Sequence, residues 1–98
     1  MKTLTFGIDP NIDLIQKIFF RADWVFDHGD DGIRACLTSP DDVNDNMTDI
    51  AWHNGFDITK IRKLKKHGLI KMSNDDQTLH LLFDRQVALD NLDGRDFD

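Results

Sequence analysis

At 98 residues the chain is long enough for one small domain. Its 40% apolar and 31% charged residues are those of an ordinary globular protein, and no stretch approaches the roughly 18 apolar residues that would cross a bilayer. The net charge of −6 rests on eighteen acids that are all aspartate, a residue suited to caps and turns and poor inside helices.

Met1 to Gly7 shows neither a long apolar run nor a cleavage pattern, so no export signal is expected. Residues 2–8 alternate instead, Leu4, Phe6 and Ile8 against Lys2, Thr3 and Thr5, which predicts a short strand. Asp9-Pro10-Asn11 marks a helix start. Ile12, Ile15 and Phe19, with Ala22 or Phe20, then set one apolar face of a helix over 11–24. Residues 27–32, Asp-His-Gly-Asp-Asp-Gly, form a turn, and 33–38 a second strand. That strand holds Cys36 between Ala35 and Leu37, placed as a small core residue would be. As the only cysteine it forms no internal disulfide, and it points to a reducing cytoplasm.

Ser39-Pro40-Asp41-Asp42 combines a capping serine, a proline suited to the first helical position and two carboxylates at the positive end of the dipole. Val43, Met47, Ile50 and Ala51 follow on one face until Asn54-Gly55 ends the helix. Asp57 caps the next helix, with Phe56 and Ile61 at the spacing of a hydrophobic staple. Ile58, Ile61 and Leu64 are its narrow apolar edge, and Gly68 stops it. Residues 69–72 and 78–83 flank a polar loop at 73–77, predicting a β-hairpin. From Asp84 the chain is acidic and reads as a short helix or a tail. The division expected is a domain over 1–83 and an acidic tail over 84–98.

Charge is unevenly spread. Lys60, Arg62, Lys63, Lys65, Lys66 and Lys71 fall within 60–71 with no acid among them, while the rest of the chain carries six bases against eighteen acids. A basic stripe on an acidic body is a directed electrostatic patch, although a solvated helix face produces the same run.

Residues 47–66 place Ala51, Gly55, Ile61 and Leu64 where the helix-turn-helix unit has its small crossing residue, its turn glycine and its closing apolar residues. Ile50 and Phe56 supply the flanking apolar positions. This segment resembles that unit, and the hairpin after Gly68 resembles a wing. The chain is thus similar to the winged helix-turn-helix superfamily over about half its length. The resemblance implies an α+β fold, a winged helix-turn-helix with an extra N-terminal strand and a C-terminal β-hairpin, with the helix at 11–24 as the family's first. Two residues depart from the pattern. The tip Asn74-Asp75-Asp76 is acidic where a phosphate-touching wing would be basic, and Asn54 is polar where the family is apolar.

Successive helical residues turn by about 100°, so Thr59, Lys63 and Lys66 point away from Ile58, Ile61 and Leu64. Lys60, Arg62 and His67 flank them, and Lys65 lies nearer the buried edge, where its stem would snorkel. In the family the outward residues of this helix enter the major groove. The resemblance therefore nominates Thr59, Lys60, Arg62, Lys63, Lys66 and His67 as DNA-binding residues. Arginine reads guanine bidentately, and lysines more often contact phosphates. The function implied is that of a sequence-specific transcriptional regulator on double-stranded DNA. It would act as a homodimer, since one recognition helix rarely gives enough specificity. No cofactor, metal or catalytic residue is expected. The rival reading is an acidic protein-interaction or inhibitor module on the same scaffold, docking a basic protein partner by imitating nucleic acid.

Other patterns carry less. Asp42, Asn44 and Asn46 alternate as in a calcium loop, but Met47 replaces the required glycine and His53 the closing glutamate. His28 with Asp27, Asp30 and Asp31 reads as a solvated turn. His53, His67 and His80 lie on separate elements without ligand spacing, and no Cys/His or Ser/His/Asp arrangement is apparent. Trp24 and Trp52 are expected as core or interface anchors.

Overall fold

The computed structural model describes residues 9–40, 46–92 and 94–98. The strand expected over 2–8, the paired Asp41 and Asp42, Val43 and Asn44 lie outside the described residues. The rest forms a mixed α+β fold, with helices on one side of a four-stranded antiparallel sheet.

Asp9 opens α1 (Pro10–Arg21). Its carboxylate accepts the Asn11 amide at 2.9 Å, and Pro10 occupies the first turn, where no donor is needed. Ile15, Ile18 and Phe19 form the buried face. Ile12 and Phe20, expected there, are 43% and 86% exposed. Ile18 takes the inward place because positions 15, 18, 19 and 22 are contiguous at helical spacing. The helix also stops at Arg21, short of the expected end. Ala22 turns extended, with φ −52° and ψ 135°. Arg95 then donates to the carbonyls of Phe19 (3.0 Å) and Ala22 (2.7 Å), putting a cation at the negative end of the helix.

The freed chain becomes β1 (Trp24–Asp27), a strand with no counterpart in the sequence reading. It pairs with β2 (Ile33–Thr38) across a 3-10 turn at Gly29–Asp31. Gly32 sits at φ 120° against β4 (Thr78–Phe83), where an added β-carbon would lie 2.2 Å from the Phe83 carbonyl oxygen. Only glycine allows that approach. β3 (Ile70–Asp75) completes the sheet in the order β1-β2-β4-β3. The loop expected over 73–77 shrinks to Asp76 and Gln77, because Asp75 pairs with Thr78. Asp76 adopts φ 45°, which a short polar side chain tolerates.

Strand alternation divides the sheet's side chains between two faces. Val25, Ile33, Ala35, Leu37, Ile70, Leu79, Leu81 and Phe83 enter the core, shared with α1, α2 (Met47–His53) and α3 (Ile58–Lys66). The rings of Phe19 and Phe83 meet there at 4.6 Å.

The cap of α2 is Asn46, whose side-chain oxygen accepts the Asp49 amide at 2.9 Å. Ser39, expected to cap this helix, instead donates its amide to the Gln77 carbonyl at 2.9 Å and so joins the hairpin turn. Gly55, at φ 85°, ends α2: the Phe56 amide reaches back to Ala51 (2.8 Å) and the Gly55 amide to Trp52 (2.9 Å). The same two bonds close α3, from Leu69 to Leu64 and from Gly68 to Lys65. Asn54 is buried, and its amide donates to the carbonyls of Thr38 (2.9 Å) and Ile50 (2.8 Å). A polar residue stands at this position because it ties the end of α2 to the end of β2.

The segment from Asp84, expected as a short helix or an acidic tail, carries α4 (Arg85–Asn91). The Asp84 carboxylate caps it through the Val87 amide at 3.2 Å, and Ala88 joins the core. Asp98 then exchanges two bonds with Val25, amide to carbonyl and amide to carboxylate, both at 2.8 Å. The outer edge of β1 is thereby partly closed. Among the described residues no helix is long and apolar enough to cross a membrane.

Candidate nucleic-acid interface

α3 is short and amphipathic, and its cap fixes its start. The Asp57 carboxylate accepts the Thr59 amide at 2.9 Å, while Ile58, Ile61 and Leu64 anchor one side in the core. The opposite side is fully presented. Thr59, Lys60, Arg62, Lys63, Lys66 and His67 are all exposed, as is Lys65. Lys60 and Lys63 line a cleft toward α1, whereas Arg62, Lys65 and Lys66 line a second one with Met47 and Met72, toward β3. The structure therefore brings all six nominated residues onto one continuous surface and divides its two flanks between different neighbours.

Elsewhere among the described residues, four cations are matched with carboxylates, while Arg34 and Lys71 are not. Lys17 pairs with Asp13 at 3.0 Å, Arg21 with Asp23 at 3.4 Å, Arg95 with Asp98 at 3.3 Å, and Arg85 with Asp27. The Arg85 hydrogen bond, helped by the Gly29 amide, holds the Asp27 carboxyl below the ordinary carboxylate range. Burial works to raise the pKa of Asp23. The Thr38 hydroxyl and amide and the nearby Arg21 outweigh that effect and bring it below its usual value. Among the described residues, no cation of α3 has a carboxylate partner. The potential of this helix is therefore not cancelled locally, and it falls off over a Debye length of about 8–10 Å at ordinary salt.

Comparison with protein-family models, curated proteins and solved structures found no match.

Two features were hidden in the sequence. Cys36 is buried as expected, at 2% exposure, but it lies outside the main apolar cluster, on the opposite side of the sheet from Ala35 and Leu37. Its sulfur lies 3.5 Å from Nδ1 of His80, its cross-strand partner. The same nitrogen accepts from Arg34 at 3.2 Å, so the imidazole proton sits on Nε2, which donates to Asp75 at 3.2 Å. Arg34 also lies over the Phe26 ring, 5.0 Å from its centroid. Burial pushes the Cys36 thiol above its ordinary pKa against the opposing pull of Arg34. A buried, protonated thiol is a weak nucleophile, so the arrangement acts as an internal polar clamp on the sheet.

The second feature is Trp52. It is no core anchor: it is 74% exposed on α2 and borders a cleft of about 420 Å³ between α1 and the α2–α3 turn. Trp24 is likewise outside the core, at 46% exposure.

Proposed function

We propose that the chain is a DNA-binding transcriptional regulator of winged-helix type, with α3 as its recognition helix. The order α1, β2, α2, α3, β3, β4 and the sheet order β2-β4-β3 are those a winged helix-turn-helix requires, with β1 added at one edge. The observation that carries the reading is the outward ridge of α3, where Thr59, Arg62, Lys63 and Lys66 are exposed and its cations lack acidic partners among the described residues. Lys63 and Lys66 hold phosphates, Arg62 reads a base edge, and Lys60 and His67 support the flanks. The acidic hairpin tip, with Asp75 and Asp76 exposed, is repelled by phosphate, so the helix rather than the wing makes the contact. Two copies supply two recognition helices and read a two-fold site, in a reducing cytoplasm that keeps Cys36 a thiol.

A second reading has its own support. Phe20, at 86% exposure, and Trp24 leave aromatic surface uncovered on an acidic body, which suits a protein partner with basic character. Duplex binding at low salt separates the two. The DNA reading expects binding there, where screening is least, whereas absence of binding transfers the function to the protein-interaction module.

A further inference from the structure

The cleft beside Trp52 has a composition that the packing of the fold does not require. Leu14 and the buried Phe56 line it from α1 and the turn, Trp52 stands exposed at its rim, and Lys60 and Lys63 reach it from α3. Its other charged groups are engaged: Lys17 with Asp13 at 3.0 Å, and Asp57 as the cap of α3. Two ammonium groups are thus left without acidic partners, among the described residues, in the same cleft as an open indole face. An aromatic platform beside cations suits a planar ring that carries an anion, the combination by which proteins hold single nucleotides of a strand. The volume, about 420 Å³, falls within the range of roughly 300–1,000 Å³ usual for ligand sites.

We propose that this cleft takes one unpaired nucleotide of a nucleic-acid strand, with its base against Trp52 and its phosphate on Lys60 and Lys63. The inference rests on the nucleic-acid reading for the source of that strand. Lys63 belongs to both the outward ridge of α3 and the cleft, so a backbone crossing α3 passes the cleft mouth. A base inside a duplex cannot use the platform, because its neighbours cover both of its faces. A bulged or frayed base can, since it is already out of the stack.

The test compares a fully paired duplex with the same duplex carrying one bulged adenine. Wild type, Trp52→Ala, Trp52→Phe and Lys60→Ala are titrated by anisotropy, with tryptophan emission followed in parallel. Trp52 is exposed, so its replacement leaves the core intact. Wild type should prefer the bulged duplex by roughly five- to a hundred-fold, the range expected for one base stacked on an aromatic ring, and its emission should fall on binding. Trp52→Ala should bind both duplexes alike, Trp52→Phe should keep part of the preference without the emission change, and Lys60→Ala should reduce the preference. An absent preference, or one that Trp52→Ala retains in full, overturns the cleft while duplex binding stands. Failure to bind either duplex overturns the duplex reading instead. A single-stranded oligonucleotide then decides the cleft: quenching abolished by Trp52→Phe supports it, and unchanged emission removes it.

Discussion

Replacing Lys63 by alanine tests whether α3 meets phosphate, and the size of the effect follows from the surface. Lys63 and Arg62 are exposed, as is Lys66, and none has an acidic partner among the described residues, so each is available to displace counterions. Each phosphate contact adds about 0.9 to the steepness of log affinity against log salt. With Lys63 and Lys66 as the phosphate contacts the slope is near −1.8, so raising salt from about 50 to about 200 mM weakens binding about 12-fold. Removing Lys63 leaves a slope near −0.9 and about a 3.5-fold loss over the same interval. The loss should be alike for preferred and scrambled duplexes, since a phosphate carries no sequence information. Arg62→Ala should differ by costing roughly 1–3 kcal/mol on the preferred duplex and relaxing one base position. Anisotropy titrations at four salt concentrations measure both, with thermal melts as control, because these side chains lie opposite Ile58, Ile61 and Leu64. A slope that Lys63→Ala and Lys66→Ala leave unchanged would refute α3 as the contacting helix.

Three further outcomes concern the scaffold. Ala51→Leu, at a fully buried position of α2, should overpack the α2–α3 junction and lower stability by about 1–3 kcal/mol in urea titration; a variant as stable as the parent would show that the junction has room. Gly32→Ala should destabilise more than an ordinary turn glycine, because its β-carbon meets the Phe83 carbonyl oxygen and strains the backbone as well. Loss of amide protection along β2 and β4 in hydrogen exchange would be its signature, and unchanged exchange would contradict the geometry. Cys36 sets a pH dependence. Its folded pKa is raised above the ordinary value of 9.0, so its contribution is fully present below that value and is lost as pH rises through the folded pKa. Wild type should therefore lose stability at alkaline pH more steeply than Cys36→Ala, and equal slopes would mean that the folded thiol ionises normally.

What the sequence by itself determined was whatever is settled within about one helical turn. Asp9 and Asp57 cap the amides two residues on, Gly55 and Gly68 accept positive φ, and Ile58, Ile61 and Leu64 recur at helical spacing. These signals located α1 and α3, the turn before α3 and the exposed side of the basic helix, and with it every nominated residue. β2 was legible from its apolar run, and the β3–β4 hairpin from its polar interruption, though not the length of its turn. Tertiary structure decided the rest. β1 has only four residues and becomes a strand because β2 offers it a pairing edge. α1 ends where it does because Arg95, far along the chain, claims its last carbonyls. Cys36 and His80 meet because register sets them opposite each other, and strand parity then turns both away from the core. Trp52 is left open because Ile50 and Ala51 already fill the buried side of α2, so its indole has no interior place to occupy. Such outcomes depend on which surfaces the assembled core leaves over, and no pattern local to those residues records that.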